Sequence, residues 1–226
     1  ELLTVTGGLY LGPPGSSTVA GSLATARAWG LPHEVLDADA VRARFPTVSP
    51  APDEVAVYEE RAGFVRPEMS VAAHLELAAR DGAELRFGER VGFWTASGAG
   101  YVVQSSGAVY SAGALVVAPG AWAPRLLADL GVPLRVERMV QFWFSPPGGV
   151  GPFERHPVYV AEQEAGNQFY GFPATDGPTG GVKVAFVHSG TPADPDALDR
   201  VVTPAEVDRM RARVAQTLPG LAGPLH

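Results

Sequence analysis

Short apolar runs, each cut off by glycine or proline, dominate this chain and predict many brief strands with a few helices between them. Residues 2–12 read as a strand pair or one bent strand, broken at Gly7-Gly8. Ser16-Ser17-Thr18 can cap a helix over 18–29 that Gly30 stops. A strand at 34–36 leads to Asp37, which caps a short helix over 38–45 closed by Pro46. Residues 55–58 and 63–65 predict a hairpin turning through 59–62. Pro67 and Glu68 suit the first turn of a further helix, with Val71, Leu75 and Ala78 as its apolar stripe and Gly82 as its stop.

Closely spaced strands follow at 84–87, 91–95, 101–105 and 109–111. Residues 114–118, Ala-Leu-Val-Val-Ala, form a continuous apolar run of the kind that makes a fully buried strand. That run passes through Pro119 and Gly120 into a helix predicted from 121 to 131. Strands over 134–145, 158–162, 168–172 and 182–188 come next, and the acidic stretch 194–199 reads as a solvated loop. Thr203-Pro204-Ala205-Glu206 is a capping box with proline at the first helical position. Val207, Met210 and Val214 follow along that helix until Pro219 ends it. The order is β-rich, then α/β, then β-rich again, which predicts a mixed α+β and α/β fold without internal repeats.

Composition narrows the function classes. With 46% hydrophobic and 18% charged residues, 226 residues can build a substantial core. A net charge of −7 offers no basic stripe to nucleic-acid phosphates. No apolar run approaches the ~18 residues of a membrane span, and no signal-like start is present. Cysteine is absent, which removes disulfides, thiol nucleophiles and cysteine metal sites together. A cytoplasmic setting is the expectation that fits. The chain starts inside a strand-like run and stops just past a Pro-Gly turn, so it is expected to be a piece of a longer protein.

Lys183 stands out because the other sixteen cationic side chains among the seventeen are arginine. An arginine-biased sequence that keeps one lysine points to a need for a compact ammonium. On a strand, Val182, Val184 and Phe186 share one face and Lys183 shares the other with Ala185 and Val187. Both faces look apolar, so the ammonium is expected to be enclosed. Strand–turn–strand geometry could set Tyr170, within Gln168-Phe169-Tyr170-Gly171-Phe172-Pro173, and Lys183 on neighbouring strands facing one pocket. His188, five positions past Lys183, would face the other way unless a bulge intervenes. Gly120-Ala121-Trp122 opens a helix after an apolar strand, a geometry that brings backbone N–H groups close to a ligand; it serves equally as a plain turn. His33, His74, His156 and His226 show no metal-ligand spacing, and His74 reads as half-buried scaffold. No serine-nucleophile elbow is present.

Five segments in order carry a resemblance: Thr6-Gly7-Gly8-Leu9-Tyr10-Leu11-Gly12, Arg61-Ala62-Gly63-Phe64-Val65-Arg66-Pro67, Gly120-Ala121-Trp122, Phe169-Tyr170-Gly171-Phe172-Pro173 and Gly181-Val182-Lys183-Val184. Together they resemble the monomeric sarcosine oxidase and N-methyltryptophan oxidase family, within the D-amino-acid-oxidase-like flavoenzymes. The resemblance implies FAD as cofactor, held in a Rossmann-type domain interleaved with a substrate domain on an antiparallel sheet. It implies substrate domain over 1–65 and 132–226 and a piece of the FAD domain over 66–131.

Its reaction would be oxidation of the C–N bond of an N-methyl or secondary amino acid, with dioxygen reduced to hydrogen peroxide. Partners would be a small amine or amino acid and dioxygen, with no nucleic acid and no membrane. By the same resemblance Lys183 assists oxygen reduction and Tyr170 lines the substrate pocket. His188 lies one position past the family histidine, where this chain has Val187. Val91 matches a position near the adenosine half of FAD, and Gly120, Ala121 and Trp122 match a later cofactor-contacting turn. The family's dinucleotide fingerprint and carboxylate-binding arginine would precede Glu1. Its flavin-linking cysteine and a further carboxylate-binding lysine would follow His226. The chain alone is therefore expected to be inactive. A dehydrogenase passing electrons to a partner, and a non-catalytic module on the same fold, are the alternatives.

Overall fold

Helix starts follow local side-chain chemistry. Ser16 Oγ accepts from the Val19 N–H at 3.2 Å and begins α1 (Ser17–Ala28). Asp37 accepts from the Ala40 N–H at 2.8 Å and begins α2 (Ala38–Arg44). These caps satisfy N–H groups that a helix leaves without internal partners. Gly30, just past α1, has φ +62°, a left-handed turn that glycine adopts without strain.

The computed structural model describes residues 2–164, 166–188 and 190–226. The first strands are β1 (Leu3–Val5), β2 (Gly8–Gly12), β3 (Glu34–Asp37), β4 (Val55–Glu59) and β5 (Gly63–Val65). After α3 (Pro67–Arg80) come β6 (Val91–Ser97), β7 (Gly100–Ser105) and β8 (Val109–Ala112), then the short α4 (Ala123–Leu126). The remainder supplies β9 (Gln141–Phe144), β10 (Val158–Glu164), β11 (Asn167–Gly171), β12 (Val182–Phe186) and α5 (Pro204–Thr217). The fold is mixed α/β. It divides into two compact units, one of Glu1–Arg66, Met139–Gly190 and Arg200–His226, the other of Pro67–Arg138 and Thr191–Asp199.

The first unit is built on a seven-stranded sheet ordered β3-β4-β2-β10-β11-β12-β9. Its pairs are antiparallel except β2 with β10, which run parallel. Strand alternation sends Leu9, Leu11, Tyr159, Ala161, Phe169, Val184, Phe142 and Phe144 to one face, all buried. Met210 and Val214 of α5 are fully buried in the same cluster, as are Leu218 and Leu221 beyond the helix. Each Leu, Val, Met or Phe among them contributes roughly 1.5–3 kcal/mol by leaving water. The predicted capping box is complete: Glu206 N–H donates to Thr203 Oγ1 at 3.3 Å and Thr203 N–H to Glu206 Oε2 at 2.8 Å.

The expected hairpin of 55–58 with 63–65 does not form. Residues of β4 pair with β2 and β3, whereas β5 pairs with β1 in a separate two-stranded sheet. A Cβ at Gly63 would collide with the Thr4 carbonyl oxygen, so glycine is what permits that pairing. The predicted long strand over 134–145 shrinks to β9.

The second unit holds a three-stranded antiparallel meander, β6-β7-β8. Several expectations fail in it. Residues 84–87 form no strand and Phe87 is exposed. The run 114–118 has no sheet neighbour, and Val116 is 90% exposed. A strand exists only when neighbouring backbone accepts its hydrogen bonds, whatever its own composition. The α3 stripe likewise buries none of its residues, and His74 is exposed rather than half-buried. The helix expected from 121 to 131 is three short pieces, a 3-10 turn at Gly120–Trp122, α4, and a second 3-10 turn at Ala128–Leu130.

Candidate functional site

The face of the seven-stranded sheet opposite the core carries the first cluster. Tyr10 is in register with Val160, Val160 with Tyr170, Tyr170 with Ala185, and Lys183 with Trp143. Phe172 N–H donates to the Lys183 carbonyl at 3.1 Å, extending the β11–β12 ladder past Gly171. Alternation therefore sets Tyr10, Val160, Tyr170, Phe172, Lys183 and Trp143 on one face, all half-buried. Phe169, their neighbour in sequence, points the other way and is fully buried.

Lys183 is half-buried, not enclosed. Its Nζ lies 5.3 Å from the Trp143 ring centre and 5.3 Å from that of Phe172. Phe172 meets the Tyr170 ring edge-on at 5.8 Å and the Phe64 ring at 6.1 Å. A cavity of about 180 Å³ opens beside them, lined by Gly8, Tyr10, Val158, Val160, Tyr170 and Phe172. Burial pushes the Tyr170 phenol up, and burial followed by the charge of Glu59 does the same to Tyr10. Both phenols thus stay protonated and can donate. His188 lies exposed two residues past the end of β12, where strand alternation no longer sets its face.

Glu162 shares that sheet face and was not singled out from sequence. It is 2% exposed, and its Oε2 accepts from Ser17 Oγ, the Thr18 N–H, Thr18 Oγ1 and Gln168 Nε2 at 2.7–3.1 Å. Against the effect of burial, which works upward, the donors from Thr18, Ser17 and Gln168 hold this carboxyl down at about 2. Its role is to anchor the start of α1 over the sheet. On the core face, His156 is 3% exposed between Phe153 and Tyr159. Its Nδ1 is 2.6 Å from the Pro157 carbonyl, and burial lowers its pKa to about 4. His156 Nε2 and Tyr159 Oη are buried without a hydrogen-bond partner. A lone carboxylate at the end of the apolar run Val158-Tyr159-Val160-Ala161 was the signal for Glu162; His156 offered none.

The second cluster lies in the other unit. Val91 is the first residue of β6 and is 42% exposed. Gly120 has φ +57°, and a Cβ there would meet nothing within 4 Å, so the backbone is open to a close-approaching group. Ala121 is exposed; Trp122 Nε1 donates to Asp196 Oδ1 at 2.8 Å. Asp194 and Asp196 lie exposed in the expected loop and pair there with Arg125, and Asp196 also with Arg90 at 3.3 Å. The Trp122 and Arg125 hydrogen bonds hold the Asp196 carboxyl below its usual range.

A cavity of about 480 Å³ is lined by Val91, Gly92, Pro119, Trp122, Leu126 and this charged rim. Its apolar walls and the aromatic side at Trp122 are compatible with the adenosine part of FAD. No grouping of metal-ligating side chains occurs among the described residues.

Comparison with known proteins bears on both clusters. Residues 2–226 match the family model described as FAD dependent oxidoreductase. The chain is 52% identical over 225 residues to monomeric sarcosine oxidase of Streptomyces avermitilis, covering 99% of this chain and 59% of that protein. It is 30% identical over 168 residues to N-methyl-L-tryptophan oxidase of Salmonella typhimurium, covering 74% of this chain and 45% of that protein. The solved structure of NikD, described as an unusual amino acid oxidase, superposes with a TM-score of 0.75 at 24% identity, over 97% of this chain and 58% of that one. Glycine oxidase from Geobacillus kaustophilus gives 0.71 at 24% identity, over 97% and 56%. These two likenesses show the fold. The chain spans about half to three fifths of the length of the relatives it matches.

Proposed function

The chain belongs to the family of FAD-dependent oxidoreductases, and from that membership we propose that the enzyme carrying it oxidises the C–N bond of an N-methyl or secondary amino acid. The proposal extends to dioxygen as the acceptor and hydrogen peroxide as its product. The observation that carries it is the shared face of Tyr170, Phe172 and Lys183, beside an apolar cavity, in a chain 52% identical to a monomeric sarcosine oxidase. FAD, when bound, supplies the two-electron chemistry. We assign the sheet face of the first unit to substrate, and Val91, Gly120, Ala121 and Trp122 of the second to the adenosine part of the cofactor.

The side chains of the chain do the rest. Tyr170 and Phe172 form an apolar wall that excludes water from one side of the amine. The Tyr170 phenol, kept protonated by burial, offers a hydrogen bond and takes no proton from substrate. Lys183 presents positive charge where negative charge builds on dioxygen as it is reduced. His188, exposed two residues past β12, takes no step in this scheme.

The test measures oxygen uptake and peroxide release by the enzyme with sarcosine and other N-methyl amino acids. Lys183→Met is expected to slow reoxidation of the reduced enzyme by dioxygen about 10²-fold, the effect of removing one charge-stabilising group. Unchanged reoxidation would sink the role of Lys183. Substrate oxidation without oxygen uptake would replace the oxidase reading with a dehydrogenase.

A further inference from the structure

We propose that Trp143 and Phe172 are positioning residues that clamp the Lys183 ammonium between their ring faces, fixing its direction over the substrate face of the sheet. The geometry has three parts. Lys183 and Trp143 are direct cross-strand partners on β12 and β9, so their side chains leave the sheet on the same side. Phe172 reaches the same spot from the other flank, because its N–H bonds the Lys183 carbonyl. The two ring centres lie equally far from Nζ, at 5.3 Å each, within the reach of a cation–π contact.

What the ammonium lacks matters as much. Among the described residues no carboxylate stands within ion-pair distance of Lys183, although this chain carries 24 acidic residues. A carboxylate would hold the ammonium but cancel its charge. A ring face attracts the cation through its quadrupole and brings no neutralising charge. The three N–H donors also stay free for another acceptor. A flexible four-carbon stem would otherwise spread this charge over many rotamers. Phe172 is in turn fixed by edge contacts to Tyr170 and Phe64, so the clamp is tied to the same wall that faces the cavity.

The positioning role rests on the reading of Lys183 above, whereas the clamp does not. The clamp is directly observable in the whole enzyme, where ¹³C-lysine labelling gives a side-chain Cε–Hε signal for Lys183 that is identified by its loss in Lys183→Met. Ring currents from two faces should shift that signal upfield of free lysine. Trp143→Leu and Phe172→Leu should each move it back toward the free position, and Trp143→Phe, which keeps a ring, should retain the shift. A wild-type signal at the free-lysine position overturns the clamp, as does a shift that survives both leucine variants. If Trp143→Leu fails to fold, Phe172→Leu and the wild-type position still decide the matter.

In the whole enzyme, Trp143→Leu should slow reoxidation by dioxygen about tenfold with KM for the amine unchanged, and Trp143→Phe should restore it. A rise in KM with normal reoxidation overturns the positioning role. A shifted lysine signal together with an inert Lys183→Met upholds the clamp and refutes the oxygen-reducing assignment instead.

Discussion

Replacing Glu162 by glutamine should destabilise the first unit at neutral pH and do progressively less as the solution is acidified. The carboxylate takes one of the N–H groups that α1 leaves unpaired at its start, Thr18 at 2.8 Å, while Ser16 takes that of Val19. It also receives the Ser17 and Thr18 hydroxyls, Gln168 Nε2 and, on its other oxygen, the Gly166 N–H at 3.3 Å. A glutamine cannot accept all of these, because one end of its amide is itself a donor. A carboxyl held at about 2 against an ordinary 4.5 corresponds to about 3 kcal/mol, at about 1.4 kcal/mol per pH unit. Water reaches the Ser17 side of the cluster, and screening there trims the figure to about 2 kcal/mol.

The sign follows from the folded carboxyl being the stronger acid. Its contribution is complete above about pH 4.5 and disappears as pH falls from there through about 2. Urea unfolding of wild type and Glu162→Gln, followed by circular dichroism from neutral pH down to pH 3, measures the gap directly. Equal midpoints at neutral pH, or a gap that stays constant on acidification, refutes the reasoning.

Two further outcomes are expected. His156, buried with its pKa lowered to about 4 from 6.5, leaves the unfolded chain holding more protons between those values. Wild-type stability should therefore fall by about 3 kcal/mol as pH drops from 6.5 through 4, and His156→Phe should flatten that fall in denaturant titrations at the two ends of the window. Gly171→Ala should lower thermal stability by about 1–3 kcal/mol, because the new methyl group meets the buried Tyr159 ring packed across Gly171; an unshifted melting temperature would show that Tyr159 moves aside freely.

How far the sequence could be read depended on whether the deciding interaction was local. The caps at Ser16, Asp37 and Thr203 are hydrogen bonds between residues three apart, so residue types alone identify them. The brief strands β6 to β8 are likewise bounded by their own glycines and pair with their sequence neighbours. The run 114–118 has a stronger apolar signature than any of them, yet Val116 is 90% exposed, because burial and pairing depend on backbone that must come from elsewhere. The strand 63–65 misled in the opposite direction: its short separation from 55–58 looks like a hairpin, but Gly63 lets β5 approach β1, nearly sixty residues away.

The candidate site divides along the same line. Period-two alternation is enough to separate Tyr170 from Phe169 and Lys183 from Val184. Alternation along Phe142-Trp143-Phe144 also sets Trp143 opposite its two buried neighbours. What alternation cannot supply is register, and register alone decides that Trp143 faces Lys183 rather than Gln141 or Ser145. A one-residue slip of β9 would turn Trp143 into the core and leave the ammonium with one ring. The clamp is thus a consequence of strand pairing over about forty residues of sequence, which the spacing of residues along one strand does not carry.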